Sequence, residues 1–214
     1  VISDSTFATP FNQKPLEYGV HLVIHSATKY LAGHNDLLSG VLLGKKELTD
    51  PIREFLKITG GVIDPNSSYL LIRGLKTFPL RMERLNSNAQ VVAEHLEANS
   101  KINRVYYPGL SSHPHHDVAK RQMKGFGAVV TFEVKDDAEY VLNFLSRLKI
   151  LSIGPSLGGV ESLITHPATI SYYMHTPEER MELGIKDGLI RLAVGIEDPE
   201  DIVEDIDQAL AGAE

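Results

Sequence analysis

The sequence contains no cysteine and no tryptophan among its 214 residues. Without cysteine the chain can form no disulfide, no thiolate metal site and no cysteine nucleophile, and such a composition fits a reducing compartment. No apolar run approaches the roughly 20 residues that cross a bilayer, and the first residues lack the basic and apolar segments of a targeting signal. The sequence therefore predicts a protein without a membrane span, and we expect a cytoplasmic location.

Clustered positive charge is also missing. The chain has 21 Lys and Arg against 28 Asp and Glu, which gives a net charge of −7 at pH 7. Because phosphate neutralisation needs a clustered Lys/Arg surface, this balance argues against a general nucleic-acid binder. With 43% hydrophobic and 23% charged residues, the composition is that of an ordinary globular protein, whose partner we expect to be a small molecule or another protein chain.

Short apolar runs rich in β-branched residues mark the first part of the chain, at residues 1–4, 20–25 and 37–44. Such runs, separated by loops or helical segments, favour a parallel α/β sheet. The first of them reads as the end of a buried strand rather than as a frayed terminus. This pattern predicts that an N-terminal part of the protein precedes the sequence.

A helical period follows at residues 66–99, with Pro79 as a predicted bend or break, and it indicates a long helical connector. Further strands are predicted at 105–107, 128–134 and 189–194, and helices at about 115–123 and 138–148. Asp198 before Pro199 predicts the start of a C-terminal helix. The second half therefore reads as an α+β domain closed by that helix.

The densest polar cluster at a strand end is the segment His25 to Tyr30. Ligands of α/β sheets bind beyond the carboxyl ends of the strands. Lys29 could form a Schiff base with an aldehyde cofactor, and the hydroxyls of Ser26 and Thr28 could bind a phosphate. The alternative is a solvated lysine on the surface.

Two further charged residues have both a functional and a structural interpretation. Asp4 ends the first predicted strand, where a carboxylate can keep a pyridine nitrogen protonated, although the residues alone favour a turn or helix cap. Arg191 lies inside an apolar strand, so it needs a partner. That partner is either a substrate carboxylate or an internal ion pair with Glu161 or Asp198.

Two other motifs carry weaker signals. The segment Gly154 to Gly159 could present backbone N–H groups to an anion, or it could be a plain tight turn. The histidines at 113, 115 and 116 lack the carboxylate and histidine spacing of a closed zinc site, so we predict no metal.

Taken together, the polar motifs resemble the pyridoxal-phosphate (PLP) enzymes of cysteine and methionine metabolism, the trans-sulfuration enzymes. The matching motifs run through the chain in the family's order. They are Asp4-Ser5-Thr6-Phe7-Ala8-Thr9-Pro10, His25-Ser26-Ala27-Thr28-Lys29-Tyr30, Gly33-His34, Arg73-Gly74-Leu75-Lys76-Thr77, Tyr107-Pro108-Gly109-Leu110, His113-Pro114, Ser156-Leu157-Gly158-Gly159-Val160-Glu161-Ser162-Leu163, Gly184-Ile185, Leu189-Ile190-Arg191-Leu192 and Gly195-Ile196-Glu197-Asp198.

This resemblance implies a role for each candidate residue. Lys29 would carry the cofactor as an internal aldimine, Asp4 would pair with the pyridine nitrogen, and Ser26 and Thr28 would hold the phosphate. Ser156 and Arg191 would receive the substrate α-carboxylate. The implied fold is the fold type I α/β architecture of aspartate aminotransferase. Residues 1–65 would end the large PLP domain, 66–99 form the helical connector, and 100–214 form the α+β C-terminal domain.

The resemblance also implies that part of the site lies outside this sequence. Members of the family that the chain resembles are nearly twice as long. The earlier half of their chains supplies the aromatic residue that stacks on the cofactor ring and a Gly-rich loop that binds its phosphate. Their dimers share a site through a Tyr and an Arg from the neighbouring subunit. We therefore expect a homo-oligomer, a dimer of dimers, completed by an N-terminal half or a second chain.

The choice of reaction depends on the residue before Ser156. Many bacterial synthases and the γ-lyases of the family carry a glutamate there, whereas plant-type cystathionine γ-synthases resemble this chain, which has Pro155. The resemblance thus favours γ-replacement on an activated homoserine ester by cysteine, giving cystathionine, with a plastid location if the source is a plant. The alternatives are γ-elimination, as in cystathionine or methionine γ-lyases, and an inactive fragment that needs another chain.

Overall fold

A computed structural model of the chain, which describes residues 1–213, contains eight β-strands. They are β1 (Ile2–Asp4), β2 (Leu22–Ser26), β3 (Gly40–Gly44), β4 (Arg104–Tyr106), β5 (Val129–Glu133), β6 (Ser152–Ile153), β7 (Leu163–Thr165) and β8 (Leu189–Ala193). The strands form a three-stranded sheet, in the order β1-β2-β3, and a five-stranded sheet, in the order β4-β5-β8-β7-β6.

Helices connect and cover these strands. They are α1 (Thr9–Asn12), α2 (Lys46–Thr59), α3 (Pro65–Leu75), α4 (Phe78–Ala98), α5 (His116–Gln122), α6 (Ala138–Ser146), α7 (Pro167–Ile170), α8 (Pro177–Glu182) and α9 (Pro199–Gly212), together with a 3₁₀ helix at Pro15–Tyr18. Within residues 1–213, none of the helices is both long enough and apolar enough to span a bilayer.

The first sheet is parallel only in part. Strands β1 and β2 pair in parallel, with Asp4 opposite Ile24, as the sequence predicts. Strand β3 is antiparallel to β2, so the expectation of a wholly parallel sheet is wrong at this strand. The segment at 37–39 precedes the strand because the backbone of Ser39 bonds to the Thr28 hydroxyl instead of to the ladder.

The connector between the sheets consists of two helices, not one. Helix α3 begins after Asp64, whose side chain accepts hydrogen bonds from the N–H groups of Asn66 and Ser67. Helix α4 begins at Phe78, and Pro79 lies in its first turn, where the missing N–H costs no hydrogen bond. The predicted bend or break at Pro79 is therefore a break, which lies between Leu75 and Phe78.

The second sheet holds the main core. Its strands are antiparallel to their neighbours except for the pair β6 and β7. Helices α4, α6 and α9 pack together beside it, and the buried face of α9 consists of Ile202, Ile206, Ala209 and Leu210. Asp198 caps α9 by accepting a hydrogen bond from the N–H of Glu200, which confirms the predicted start of this helix.

Candidate active site

Lys29 lies in a turn just beyond the carboxyl end of β2. The turn is closed by backbone hydrogen bonds from Lys29 N to Ser26 O, from Ala32 N to Ala27 O and from Gly33 N to Lys29 O. Ala27, Tyr30 and Ala32 are buried, whereas Lys29 is half-buried and faces a cleft. The strand end therefore presents the lysine amine to a cleft from a well-packed turn.

The amine of Lys29 contacts Ser156, in the loop between β6 and β7 of the second sheet. Lys29 Nζ donates a hydrogen bond to Ser156 Oγ at 2.9 Å, across 127 positions of sequence. Burial lowers the pKa of the Lys29 ammonium, and the positive charge of Arg191 lowers it further. Both effects enlarge the fraction of neutral, nucleophilic amine near neutral pH.

Arg191 lies in the middle of β8, between Thr131 on β5 and Thr165 on β7. Its Nη2 donates to the carbonyls of Pro155 and Ser156, at 2.7 and 3.2 Å, and to Thr165 Oγ1 at 3.4 Å. Its Nε is buried and has no hydrogen-bond partner among the described residues.

The internal ion pair considered for Arg191 is not present. Glu161 accepts a hydrogen bond from the side-chain amide of Asn35. Asp198 caps α9. Among residues 1–213 no carboxylate lies within ion-pair distance of Arg191. Its guanidinium, which bonds to the carbonyl of Ser156, thus offers the charge and the unpartnered Nε–H that a carboxylate would satisfy.

Asp4 ends β1 beside the Lys29 turn. Its Oδ1 accepts a hydrogen bond from the N–H of Thr6 at 2.8 Å, so the capping interpretation is correct as far as it goes. Thr6 Oγ1 in turn accepts a hydrogen bond from the N–H of Ser26 at 2.8 Å, which ties the two strand ends together. Hydrogen bonding from Thr6 lowers the pKa of Asp4, and the nearby His25 lowers it too. The exposed carboxylate is thus kept ionised.

Ser26 and Thr28 differ in what their hydroxyls do. Ser26 Oγ makes no hydrogen bond within the described part of the chain. Thr28 Oγ1 accepts from the N–H of Ser39 at 2.9 Å and donates to its carbonyl at 3.3 Å. A phosphate here would find one hydroxyl available and a second that must turn away from Ser39.

These residues fit PLP, which brings an aldehyde, a basic ring nitrogen and a phosphate. Lys29 supplies an amine of lowered pKa, Asp4 an ionised carboxylate at the neighbouring strand end, and Ser26 an unpaired hydroxyl. The cleft beside Lys29 is lined by Thr28, Lys29, Asn35, Asp36, Leu37, Leu38, Asp64, Ser67 and Ser156.

Several contacts around the site are not evident from sequence patterns. Thr165 bonds to Arg191 and to the carbonyl of Gly154, so it fixes the strand edge next to Ser156. Asn35 joins the Lys29 loop to Glu161 at 3.1 Å. Arg81 could have been noticed in the sequence, because it is a cation on the apolar face of α4, just as Arg191 is a cation within an apolar strand.

The two weaker motifs acquire structural roles. In the segment Gly154 to Gly159, Gly158 has φ +81°, and a Cβ there would lie 2.6 Å from the backbone N of Tyr30. This loop therefore packs directly on the Lys29 turn. Among the histidines, the rings of His113 and His115 stand 6.0 Å apart, and His116 Nδ1 lies 2.9 Å from the carbonyl of Pro108.

Known proteins resemble the chain over nearly its whole length. The chain is 52% identical over 210 residues to the chloroplastic cystathionine gamma-synthase 1 of Arabidopsis thaliana, and 51% identical over 212 residues to an L-methionine gamma-lyase of Fusobacterium nucleatum subsp. polymorphum. Each match covers 98% of this chain, but the chain spans only 37% of the first relative and 54% of the second.

Among solved structures, the cystathionine gamma synthase of Xanthomonas oryzae pv. oryzae, in complex with aminoacrylate and cysteine, superposes with a TM-score of 0.94 at 41% identity. That match covers 99% of this chain and 55% of the other, and it confirms the predicted fold type I α/β architecture. The domain boundaries at residues 65 and 99 stay a prediction. A family model matches residues 1–211, so the chain belongs to the family of PLP-dependent enzymes of Cys/Met metabolism.

Proposed function

We propose that this protein catalyses γ-replacement on an activated homoserine ester, using cysteine as the incoming thiol and PLP as cofactor, to form cystathionine. The observation that carries the proposal is the 2.9 Å hydrogen bond between Lys29 Nζ and Ser156 Oγ, with Arg191 bonded to the carbonyl of Ser156. An amine and a carboxylate-binding group are thereby held together, as a reaction at the α carbon of an amino acid requires. Bound PLP would supply an electron sink for that carbon.

Lys29 is assigned two tasks in this proposal. Its amine would hold the cofactor covalently, and in its free form the same amine would move protons at the α and β carbons of the substrate. A general acid–base works best when its pKa lies near the working pH, and burial together with Arg191 lowers the pKa of Lys29 in that direction.

Asp4, Ser26 and Thr28 are assigned to the cofactor. Asp4, whose pKa is lowered by Thr6, would keep a proton on the ring nitrogen. The Ser26 hydroxyl would donate to the phosphate directly. Thr28 would also donate to the phosphate if its hydroxyl proton turned away from the Ser39 carbonyl. That hydrogen bond is long, at 3.3 Å.

Ser156 and Arg191 are assigned to the substrate α-carboxylate. The unpartnered Nε of Arg191 gives the guanidinium a donor that no protein group among the described residues uses. A planar carboxylate could accept from it and from a neighbouring N–H in the two-pronged geometry that favours arginine over lysine. Orientation of the amino acid would follow from this contact.

The choice of γ-replacement over γ-elimination is supported by Pro155. This residue gives the site entrance no carboxylate immediately before Ser156, and its carbonyl accepts from Arg191 Nη2 at 2.7 Å. Relatives of both activities are nearly equally similar, so a γ-lyase acting on cystathionine or methionine is the competing candidate.

The proposal includes a further part of the polypeptide, or a second chain, that completes the active site. The first sheet and α2 leave apolar side chains exposed, among them Ile2, Leu43 and Phe55. These surfaces support cover by a preceding half of the polypeptide or by a second chain, in a homo-oligomer with a shared site. For the location we propose the cytoplasm, or a plastid if the source is a plant, as the chloroplastic relative suggests.

The test is an assay of the complete protein with two sets of substrates. We expect cystathionine from an activated homoserine ester plus cysteine, and little ammonia from cystathionine or methionine alone. Ammonia release without a second substrate would replace the synthase with the γ-lyase. The Lys29→Ala variant serves as the control for both reactions, and absence of both reactions in the complete, cofactor-loaded protein would overturn the proposal of either activity.

A further inference from the structure

Arg81 is a buried cation on α4. Only 5% of its surface is exposed, and its neighbours Phe78, Met82 and Leu85 belong to the apolar core. Among residues 1–213, no carboxylate lies within ion-pair distance of its guanidinium. Because an uncompensated buried charge is costly, the guanidinium must gain its stabilisation from other acceptors.

Those acceptors are held at the junction of the two sheets. Arg81 Nη1 donates to Tyr30 O at 2.8 Å, and Nη2 donates to Leu31 O at 3.3 Å. On the other side, Nη2 donates to Gly74 O at 2.9 Å and Nε to Thr77 Oγ1 at 3.2 Å. The guanidinium thus connects the residues that follow Lys29 to the end of α3 and the start of α4.

The carbonyls of Tyr30 and Leu31 depend on this contact. In the described part of the chain neither accepts a backbone N–H, since the hydrogen bonds of the turn end on Ser26, Ala27 and Lys29. A buried carbonyl without a donor costs about 1–3 kcal/mol. Arg81 therefore determines which way these two peptide groups face, and with them the direction in which the turn leaves β2.

Gly33 provides the space for the guanidinium. It has φ +76°, and a Cβ at this position would lie 2.0 Å from Arg81 Nη1. Gly33 N also donates to Lys29 O, which closes the turn around the lysine. Glycine at this position is thus explained by the arginine that fills the place of its side chain.

We propose that Arg81 is a positioning residue for Lys29: by holding the carbonyls of Tyr30 and Leu31, its guanidinium keeps the lysine amine directed at Ser156. This inference rests on the proposed function, which gives Lys29 its chemical role. Arg81 itself touches neither the amine nor the cleft, so its effect passes entirely through the turn.

The structure offers a matched control for the charge and the helix. Arg84 lies one turn further along α4, is exposed, and donates to the carbonyls of Ile196 and Glu197 instead. The Arg84→Ala variant loses a guanidinium from the same helix without releasing the Lys29 turn. Arg81→Lys keeps the charge but cannot reproduce the fork of hydrogen bonds.

The experiment follows the acylation of lysines in the complete protein, freed of cofactor, by peptide mass spectrometry across a pH series. Lys57, which is exposed, is the internal reference. The charged groups that bear on the Lys29 amine are Arg191 on β8 and, at the cleft, Asp36 and Asp64. None of them is changed in the variants.

We expect the labelling midpoint of Lys29 to lie below that of Lys57 in the unaltered protein. In Arg81→Ala it should rise toward the Lys57 value, because the amine leaves its enclosed position beside Arg191. Methylguanidinium added to the solution should restore the lower midpoint, a rescue that general loosening of the fold would not show. Arg84→Ala should leave the midpoint unchanged.

In the loaded enzyme, kcat of Arg81→Ala should fall by up to about 100-fold, as expected for a reacting group displaced by about 1 Å. An unchanged Lys29 midpoint in folded Arg81→Ala would overturn the inference. If Arg81→Ala does not fold, the Lys29 labelling midpoint is measured in Arg81→Lys. A raised midpoint there supports the inference, and an unchanged midpoint overturns it. If the Lys29 midpoint rises in Arg81→Ala as expected but the protein attaches no cofactor, the proposed function is contradicted and the positioning role of Arg81 is not.

Discussion

The two sheets differ in how completely they are covered, although both contribute residues to one site. In the five-stranded sheet, Ile190 and Leu192 on β8 are fully buried. In the three-stranded sheet, Ile24 on β2 is 39% exposed and Leu43 on β3 is 42% exposed. Helix α2, which follows β3, buries none of its residues, whereas nine residues of α4 are buried.

This difference shows where the precision of the site originates. Lys29 belongs to the open sheet, yet its turn is held from the covered side, by Arg81 on α4 and by the close packing of Gly158 on Tyr30. Arg191 belongs to the covered sheet itself, and Ser156 lies in the loop that joins its strands β6 and β7. The C-terminal region therefore acts as the support against which the lysine is placed, while the open surfaces are those for which we propose cover by a partner.

The largest effect is expected when the amine of Lys29 is removed from the open, three-stranded sheet. Lys29→Ala should abolish turnover, by more than about 10³-fold, since it removes the group that we propose as both covalent anchor and proton carrier. Steady-state kinetics of the complete protein measure this effect. Lys46→Ala, an exposed lysine on α2, should retain full activity. Activity in Lys29→Ala would refute the assigned role.

The counterpart on the covered side is Arg191→Leu. We expect it to weaken substrate binding by about 2–5 kcal/mol, the cost of removing one partner from a charged pair that excludes water. The effect should appear mainly as a raised KM for the amino-acid substrate. The variant should also raise the pKa of Lys29, because the positive charge that lowers it is gone. An unchanged KM would show that the carboxylate binds elsewhere.

Unfolding should expose the same contrast in the cores. Leu192→Ala, in the buried face of β8, should lower the free energy of unfolding by about 2–5 kcal/mol. Ile24→Ala, on the open face of β2, should cost less than about 1 kcal/mol in this chain by itself. Chemical denaturation of both variants measures the difference. Equal losses would contradict the picture of one covered and one open sheet.

A smaller, pH-dependent effect is expected at Asp205 on α9. Its buried carboxylate accepts hydrogen bonds from the N–H groups of Lys149, Ile150 and Leu151. Burial by itself would raise the pKa of Asp205, but these hydrogen bonds, with one from Gln208, outweigh it and lower the pKa. Asp205→Asn should cost about 1–3 kcal/mol of unfolding free energy at pH 7.

The sign of the pH dependence follows from the lowered pKa. The stabilisation by the carboxylate is complete above the unfolded-state pKa of about 3.9 and is lost as the pH falls through the lower native value. The gap between Asp205→Asn and the unaltered protein should therefore shrink below about pH 4. A gap that stayed constant on acidification would show that the charge contributes nothing.

Elements with strong end signals or a buried face were predictable from the sequence. Helix α9 was marked by Asp198 and Pro199, and β8 by its apolar run around Arg191. Helix α2 was missed although Leu48, Ile52, Phe55 and Leu56 recur in it at helical spacing, because Pro51 lies inside the helix. The direction of β3 was also unpredictable, since pairing to β2 depends on long-range contacts rather than on local pattern.

The candidate site shows the same division. The motif order identified Lys29, Ser156 and Arg191, and the structure brings these three together. The sequence could not reveal that the Thr28 hydroxyl is engaged by the Ser39 backbone, because such contacts depend on how two segments meet. The contact of Arg81 with the Lys29 turn was hidden for the same reason, since two of its four acceptors lie 50 and 51 positions away.

The most direct test of the central claim is borohydride reduction of the complete, cofactor-loaded protein, followed by intact-mass measurement and peptide mapping. The account predicts a single phosphopyridoxyl adduct on Lys29. The adduct should be absent from Lys29→Ala and unaffected in Lys46→Ala. An adduct on another lysine, or none in the complete protein, would contradict the assignment of this turn as the cofactor anchor.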